Sequence, residues 1–281
     1  MVIIRIIGGL GNQMFQYAFA KALQIKGYNV KLDISNYNEY SPHGGFQLDK
    51  YSVDLETLNS SFLKVYFFKA LKKIGIFSKY YVVEKSLRFN SNYFEVNSSC
   101  YLEGYFQSEK YFIGIRDVLL NQFKFKINIS NYSKNVEALI KSVKHSCSIH
   151  IRRGDFGDSK NFNIHGFCDL DYYLKATSKI EEYISDIKYF IFSDDPIWVK
   201  SFIDIDNAYF VVADFEKQPH EDIYLMSLCK NNIIANSSFS WWGAWLNENQ
   251  NKIIIAPKIW FSDKSLQQQS YDIQCDNWIM L

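Results

Sequence analysis

The sequence predicts an α/β protein built on parallel sheets in two domains. Three observations lead there. Short apolar runs alternate with helical patterns along most of the 281 residues, the signature of strands joined by crossover helices. The runs are rich in Ile, Val and Phe, as in strands covered on both faces. Polar clusters fall just past the ends of the later runs, where ligands bind in such sheets. Hydrophobic residues make up 48% of the chain, enough to fill a large core.

Residues 2–7 read as a buried strand. Gly8, Gly9, Leu10, Gly11, Asn12 and Gln13 follow as a tight loop, and residues 14–25 as a helix with Phe15, Phe19, Ala22 and Leu23 on one face. Gly27 ends it, and residues 28–33 form a second strand. Small residues in such a turn let a ligand approach a helix N-terminus, and Asn12 and Gln13 add polar side chains there. A plain structural turn is the other reading. Residues 36–59 are loop-rich and include His43. Residues 61–77 read as a helix whose charges are Lys64, Lys69, Lys72 and Lys73. That pattern suits a core helix with a lysine edge, or peripheral contact with the anionic inner face of a membrane. Strands are predicted at 80–85 and 100–106, and helices at 108–120 and 135–143. The first domain is placed at 1–145 and the second at 146–281. The polar stretch 128–135 is a softer candidate boundary.

From residue 146 the alternation is regular. Strands at 147–151, 188–193, 208–212, 232–235 and 252–256 are separated by helices at 170–184, 196–202, 221–229 and 239–246. The carboxyl ends of the first four strands carry Arg152-Arg153-Gly154-Asp155, then Ser193-Asp194-Asp195, then Asp214, then Asn236-Ser237-Ser238. Arginine forks onto phosphate oxygens. A Ser-capped helix start aims free N–H groups and a positive dipole at the same place. Together these ends suggest an anion site. A surface ion-pair network is the bland alternative. Trp241, Trp242 and Trp245 crowd the last helix, and core packing accounts for at least one of them.

Composition narrows the function. The net charge is +1, from 31 basic and 30 acidic residues, which argues against general nucleic-acid binding. Five scattered cysteines without a C-x-x-C pair suggest neither a zinc site nor a disulfide framework, and point to a cytoplasmic protein. No apolar stretch approaches the ~18 residues of a membrane span, and no signal peptide is visible.

Four stretches in order resemble one family. They are Gly8 to Ala18; His150-Ile151-Arg152-Arg153-Gly154-Asp155; Phe192-Ser193-Asp194-Asp195; and Asn236-Ser237-Ser238-Phe239-Ser240-Trp241-Trp242. They resemble the motifs of the α-1,2-fucosyltransferases, glycosyltransferase family 11, over residues 1 to about 260. The resemblance implies a GT-B fold, two Rossmann-like domains facing a central cleft. The first domain lies on the acceptor side and the second binds GDP-L-fucose. It implies inverting transfer of fucose to the 2-hydroxyl of a galactose-terminated glycan, with no metal or other cofactor. It also implies a place in O-antigen or capsule synthesis in the cytoplasm. On the same footing, Arg152 and Arg153 would hold the GDP phosphates, with His150 and Asp155 shaping that site. Asn12 would approach the sugar–phosphate junction. Gly11, Gln13, Ser193, Asp194, Asn236, Ser237, Ser238 and Ser240 complete the expected donor-binding set.

Two arginines can replace the divalent cation that other transferases use. The acceptor hydroxyl needs a base: Asp155 is the first candidate, with Asp158, His165, Asp169 or a donor phosphate oxygen as others. Asp169-x-Asp171 and Asp204-x-Asp206 have metal-binding spacing, but Asp169 also suits a helix cap and the second pair a turn. A transferase using another nucleotide sugar and a non-catalytic sugar- or nucleotide-binding protein remain as alternatives. A dinucleotide-dependent oxidoreductase is more distant, because Met14 stands where the third glycine belongs and Asp33 is its sole ribose partner.

Overall fold

The apolar run after Met1 forms β1 (Val2–Arg5), whose Val2, Ile3 and Ile4 are wholly buried. The computed structural model describes residues 1–37, 44–58, 79–126, 128–153, 164, 166–211 and 218–281. The chain divides into two units, Met1–Ile127 with Tyr271–Cys275, and Asn128–Ser270 with Asp276–Leu281.

In the first unit α1 (Leu10–Ile25) follows β1, and then come β2 (Val30–Asp33), β3 (Thr57–Leu58), β4 (Tyr81–Val83) and β5 (Cys100–Glu103). The sheet runs β3-β2-β1-β5-β4, and every pairing is parallel. β1 is flanked by β2 on one side, with Ile4 opposite Leu32, and by β5 on the other, with Ile4 opposite Leu102. The strand order therefore reverses between β1 and β5. α1 is buried nearly all round, its Gln13, Gln16 and Lys21 included. Phe19 stacks on Phe106 at 4.2 Å and meets the edge of Tyr111 at 5.1 Å. Rings of this size, buried at about 25 cal/mol per Å², stabilise the unit by several kcal/mol.

Three details of the first unit differ from the sequence reading. α1 starts at Leu10 and not at residue 14, because the N–H groups of Asn12 and Gln13 already bond to Gly9 O at 3.0 and 3.1 Å. Poor helix propensity of glycine conceals that first turn. The single helix expected at 108–120 is two short 3₁₀ turns, Glu109–Tyr111 and Ile113–Ile115, followed by α2 (Arg116–Gln122). Gly114 between two β-branched residues disfavours a continuous helix. The loop-rich stretch 36–59 contributes β3.

The second unit begins with α3 (Asn131–Ser142), capped by Ser130. Then come β6 (Ser146–Ile151), α4 (Leu170–Glu181), β7 (Lys188–Ser193), α5 (Pro196–Phe202), β8 (Ala208–Val211) and α6 (Pro219–Leu228). β9 (Asn231–Ile233), α7 (Ser238–Trp245), β10 (Ile254–Ala256), α8 (Lys264–Gln269) and β11 (Ile279–Met280) complete it. The sheet order is β11-β10-β9-β6-β7-β8, again with parallel pairings throughout. The chain steps from β6 outward to β8 and then returns to the other side of β6, so the order reverses between β6 and β9. The sequence reading missed α8 and β11, which are too short to show periodicity.

The first unit ends at Ile127, not at residue 145. α3 belongs with the second unit because it is fastened to α6: Ser130 Oγ donates to Glu221 Oε2 at 2.7 Å, and Tyr224 OH to Glu137 Oε1 at 3.0 Å. Residues Tyr271–Cys275 rejoin the first unit, where Asp272 accepts from Phe89 N at 3.0 Å and pairs with Lys110. Trp241, Trp242 and Trp245 are all buried, so the tryptophan cluster is core. No helix among the described residues is long and apolar enough to cross a membrane. The predicted lysine-edged helix at 61–77 lies outside the described residues.

Candidate functional site

Both order reversals bring polar side chains together at the carboxyl ends of strands, the usual ligand position in such sheets. At the second unit's reversal, Arg152 leaves β6 and α7 begins just after β9. Arg152 Nη1 lies 3.5 Å from Ser237 Oγ. Ser237 is extended and caps α7 by accepting from Phe239 N at 3.3 Å. The first turn of α7 thus presents N–H groups with no partner inside the helix, beside a guanidinium. Of the expected residues, Arg152 and Ser237 meet here and Ser238 opens α7, an arrangement chemically suited to an anion.

Arg153 has different surroundings. Its guanidinium lies over the Trp198 ring at 3.7 Å, and its Nε is 3.9 Å from Asp195 Oδ2. Its backbone N–H donates to Asp194 Oδ1 at 2.8 Å. Ser193 Oγ accepts from Asp195 N at 3.0 Å, and Asp195 caps α5 by accepting from Trp198 N at 3.0 Å. The pair of arginines is therefore divided: one faces the start of α7, the other is held flat on α5. Trp198 was not foreseen, since nothing in the sequence links it to an arginine 45 positions earlier.

His150 lies between these groups. Its ring is 5.6 Å from that of Phe239, and its backbone carbonyl accepts from Tyr173 OH at 3.2 Å. Among the described residues its buried Nδ1 has no hydrogen-bond partner. Burial pushes the imidazole down to about 4, with Asp194 opposing and Arg152 assisting. The unfolded chain then binds this proton more readily than the folded one, across the window from the ordinary 6.5 down to about 4. Stability is full above that window and falls as pH drops through it. His150→Gln is expected to remove this acid sensitivity, on the order of 1–3 kcal/mol. Urea unfolding midpoints measured from pH 7 to 4.5 check it, and an unchanged pH slope in the variant would refute it.

Other expected residues are engaged inside the fold. Asn236 donates to Trp260 O at 3.2 Å and Gly166 O at 3.5 Å. Ser240 is fully buried and donates to Ser237 O at 3.2 Å and Ala235 O at 3.4 Å. Gln13 is fully buried too; its Nε2 donates to Gly8 O at 3.0 Å and Gly45 O at 2.8 Å, and its Oε1 accepts from Gln47 N. These contacts tie all three side chains into the local framework. Gly11 is buried in the first turn of α1.

At the first unit's reversal, the glycine turn after β1 meets the loop after β5. Half-buried Asn12 accepts through Oδ1 from Gln107 Nε2 at 2.7 Å. Gln107 was also missed, because the prediction of a strand through residue 106 hides the turn that presents it. Asp33 is buried and accepts from Tyr101 OH at 2.6 Å and Ser35 N at 3.0 Å, so it is not placed to read a ribose. Asp169 caps α4 by accepting from Tyr172 N at 2.9 Å. Gly154, Asp155, Asp158, His165, Asp214 and His43 lie outside the described residues.

Comparison with known proteins decides the family. The family model described as Glycosyl transferase family 11 matches residues 1–281. The chain belongs to glycosyltransferase family 11. This family 11 chain is 35% identical over 297 residues to an alpha-1,2-colitosyltransferase of Escherichia coli, covering 100% of itself and 99% of that protein. It is 31% identical over 307 residues to the O-antigen biosynthesis glycosyltransferase WbnK of Escherichia coli, covering 98% of each. Among solved structures, NodZ alpha-1,6-fucosyltransferase soaked with GDP-fucose is similar in fold, with a TM-score of 0.50 at 14% identity over 87% of this chain and 92% of that one. The architecture is thus GT-B-type α/β, and the family 11 chain is a glycosyltransferase.

Proposed function

We propose that the chain transfers L-fucose from GDP-L-fucose to the 2-hydroxyl of a galactose, with inversion and without a metal, during assembly of an O-antigen or related surface glycan. The observation that carries this is the position of Arg152, 3.5 Å from the Ser237 cap of α7 at the reversal of the second sheet. A guanidinium beside a helix N-terminus suits a diphosphate whose charge grows as the sugar leaves. The sugar C1–O bond to the diphosphate breaks, the acceptor oxygen bonds to C1, and its proton passes to a base. Asp155 is the proposed base. Asn12 meets the sugar–phosphate junction. Arg153, stacked on Trp198, shapes the turn and adds positive charge.

The names of the relatives support the reading: one transfers colitose in an α-1,2 linkage and the other serves O-antigen biosynthesis. The 35% identity to the colitosyltransferase also favours a second reading, with colitose as the transferred sugar. Incubation with GDP-fucose, other nucleotide sugars and a panel of galactosides, in excess EDTA, tests both. The expected result is an α-1,2-fucosylated product by NMR. Transfer only from another donor, another linkage, or complete loss in EDTA would overturn the proposal.

A further inference from the structure

We propose that Gln107 is a positioning residue that fixes the amide of Asn12 for donor contact. The inference rests on the reading that Asn12 meets the donor. Asn12 follows β1 and Gln107 follows β5, so their 2.7 Å bond spans the order reversal of the first sheet. A side-chain amide has one accepting and one donating end. With Oδ1 taken by Gln107, Nδ2 is the end left to turn away, and it donates, as an anionic or ether oxygen of a sugar phosphate requires. Gln107 is only 8% exposed, so the bond is shielded from competing water.

The loop carrying Gln107 is held in an imposed shape. Phe106 has φ +51, a costly conformation for a bulky side chain and one that collects at functional sites. The half-buried Glu84 carboxylate holds it there by accepting from Tyr105 N at 2.6 Å and Phe106 N at 3.1 Å. Gly104 has no space for a side chain: a Cβ would lie 2.5 Å from Glu84 Cβ. Gln16 ties the two loops together, donating to Gly104 O and accepting from Ile7 N, each at 3.0 Å. Glu84, Gln16 and Gly104 thus converge on one result, the placement of Gln107 against Asn12.

The test compares Asn12→Ala, Gln107→Ala, the Asn12→Ala/Gln107→Ala double variant and the isosteric Gln107→Glu, reading kcat, donor KM and thermal unfolding. Gln107→Ala is expected to lower kcat roughly 10- to 100-fold while donor KM and melting temperature change little. The double variant should be no slower than Asn12→Ala alone, because both remove one function. Gln107→Glu should lose at least as much as Asn12→Ala, since a carboxylate only accepts and turns the Asn12 amide around. A fully active Gln107→Glu, or losses that multiply in the double variant, would overturn the inference alone. A fully active Asn12→Ala would overturn the Asn12 reading and the inference together.

Discussion

Replacing Arg152 by alanine is expected to lower turnover roughly 10²–10³-fold, the usual loss when one preorganised donor to a developing negative charge is removed. The side chain leaves a fully buried strand, β6, and reaches the Ser237 cap of α7. The anion it is proposed to meet is a leaving group, so its contribution grows toward the transition state. Arg152→Lys should recover only part of the loss. A lysine keeps the charge but not the planar fork. Steady-state kinetics with GDP-fucose, beside thermal unfolding to show that both variants are folded, checks the prediction. Full turnover in the lysine variant would mean that charge alone suffices.

The second large effect is expected at Gly8. Its φ is +80, a left-handed conformation that costs an alanine about 1–2 kcal/mol. A Cβ there would also lie 2.8 Å from Asn12 Nδ2. Gly8→Ala therefore strains the turn and pushes aside the amide proposed to face the donor. The Gly8 carbonyl accepts from Tyr37 OH at 2.7 Å and Gln13 Nε2 at 3.0 Å, so the backbone cannot shift cheaply. Stability should fall by about 1–2 kcal/mol and turnover by about 10²-fold. If urea unfolding shows the loss of stability while kcat is unchanged, Asn12 is not a donor contact.

Much of the fold was legible because the pattern of the central strands has few readings. β1 is an apolar run leading into glycines, β6 alternates small or polar residues with isoleucine before two arginines, and both proved to be central parallel strands. That Arg152 and Ser237 lie just past strands was legible for a related reason: a charge or a capping serine follows the strand pattern almost at once. Whether a polar side chain turns outward was not legible. Gln13, Asn236 and Ser240 sit in the right stretches yet spend their donors on backbone carbonyls within the fold, which depends on packing that the sequence does not display. Arg153 resembled its neighbour until Trp198, far along the chain, was seen beneath it. Gln107 was hidden by a strand read three residues too long, 106 against Glu103. Its partner Asn12 was visible because the glycines before it mark a turn at once.

The central claim is that the second sheet's reversal holds the departing diphosphate through Arg152 and the start of α7. A crystal structure with GDP bound tests it most directly. The account predicts diphosphate oxygens within about 3 Å of the Arg152 guanidinium and facing the N–H groups that follow Ser237. A diphosphate bound away from both would contradict it.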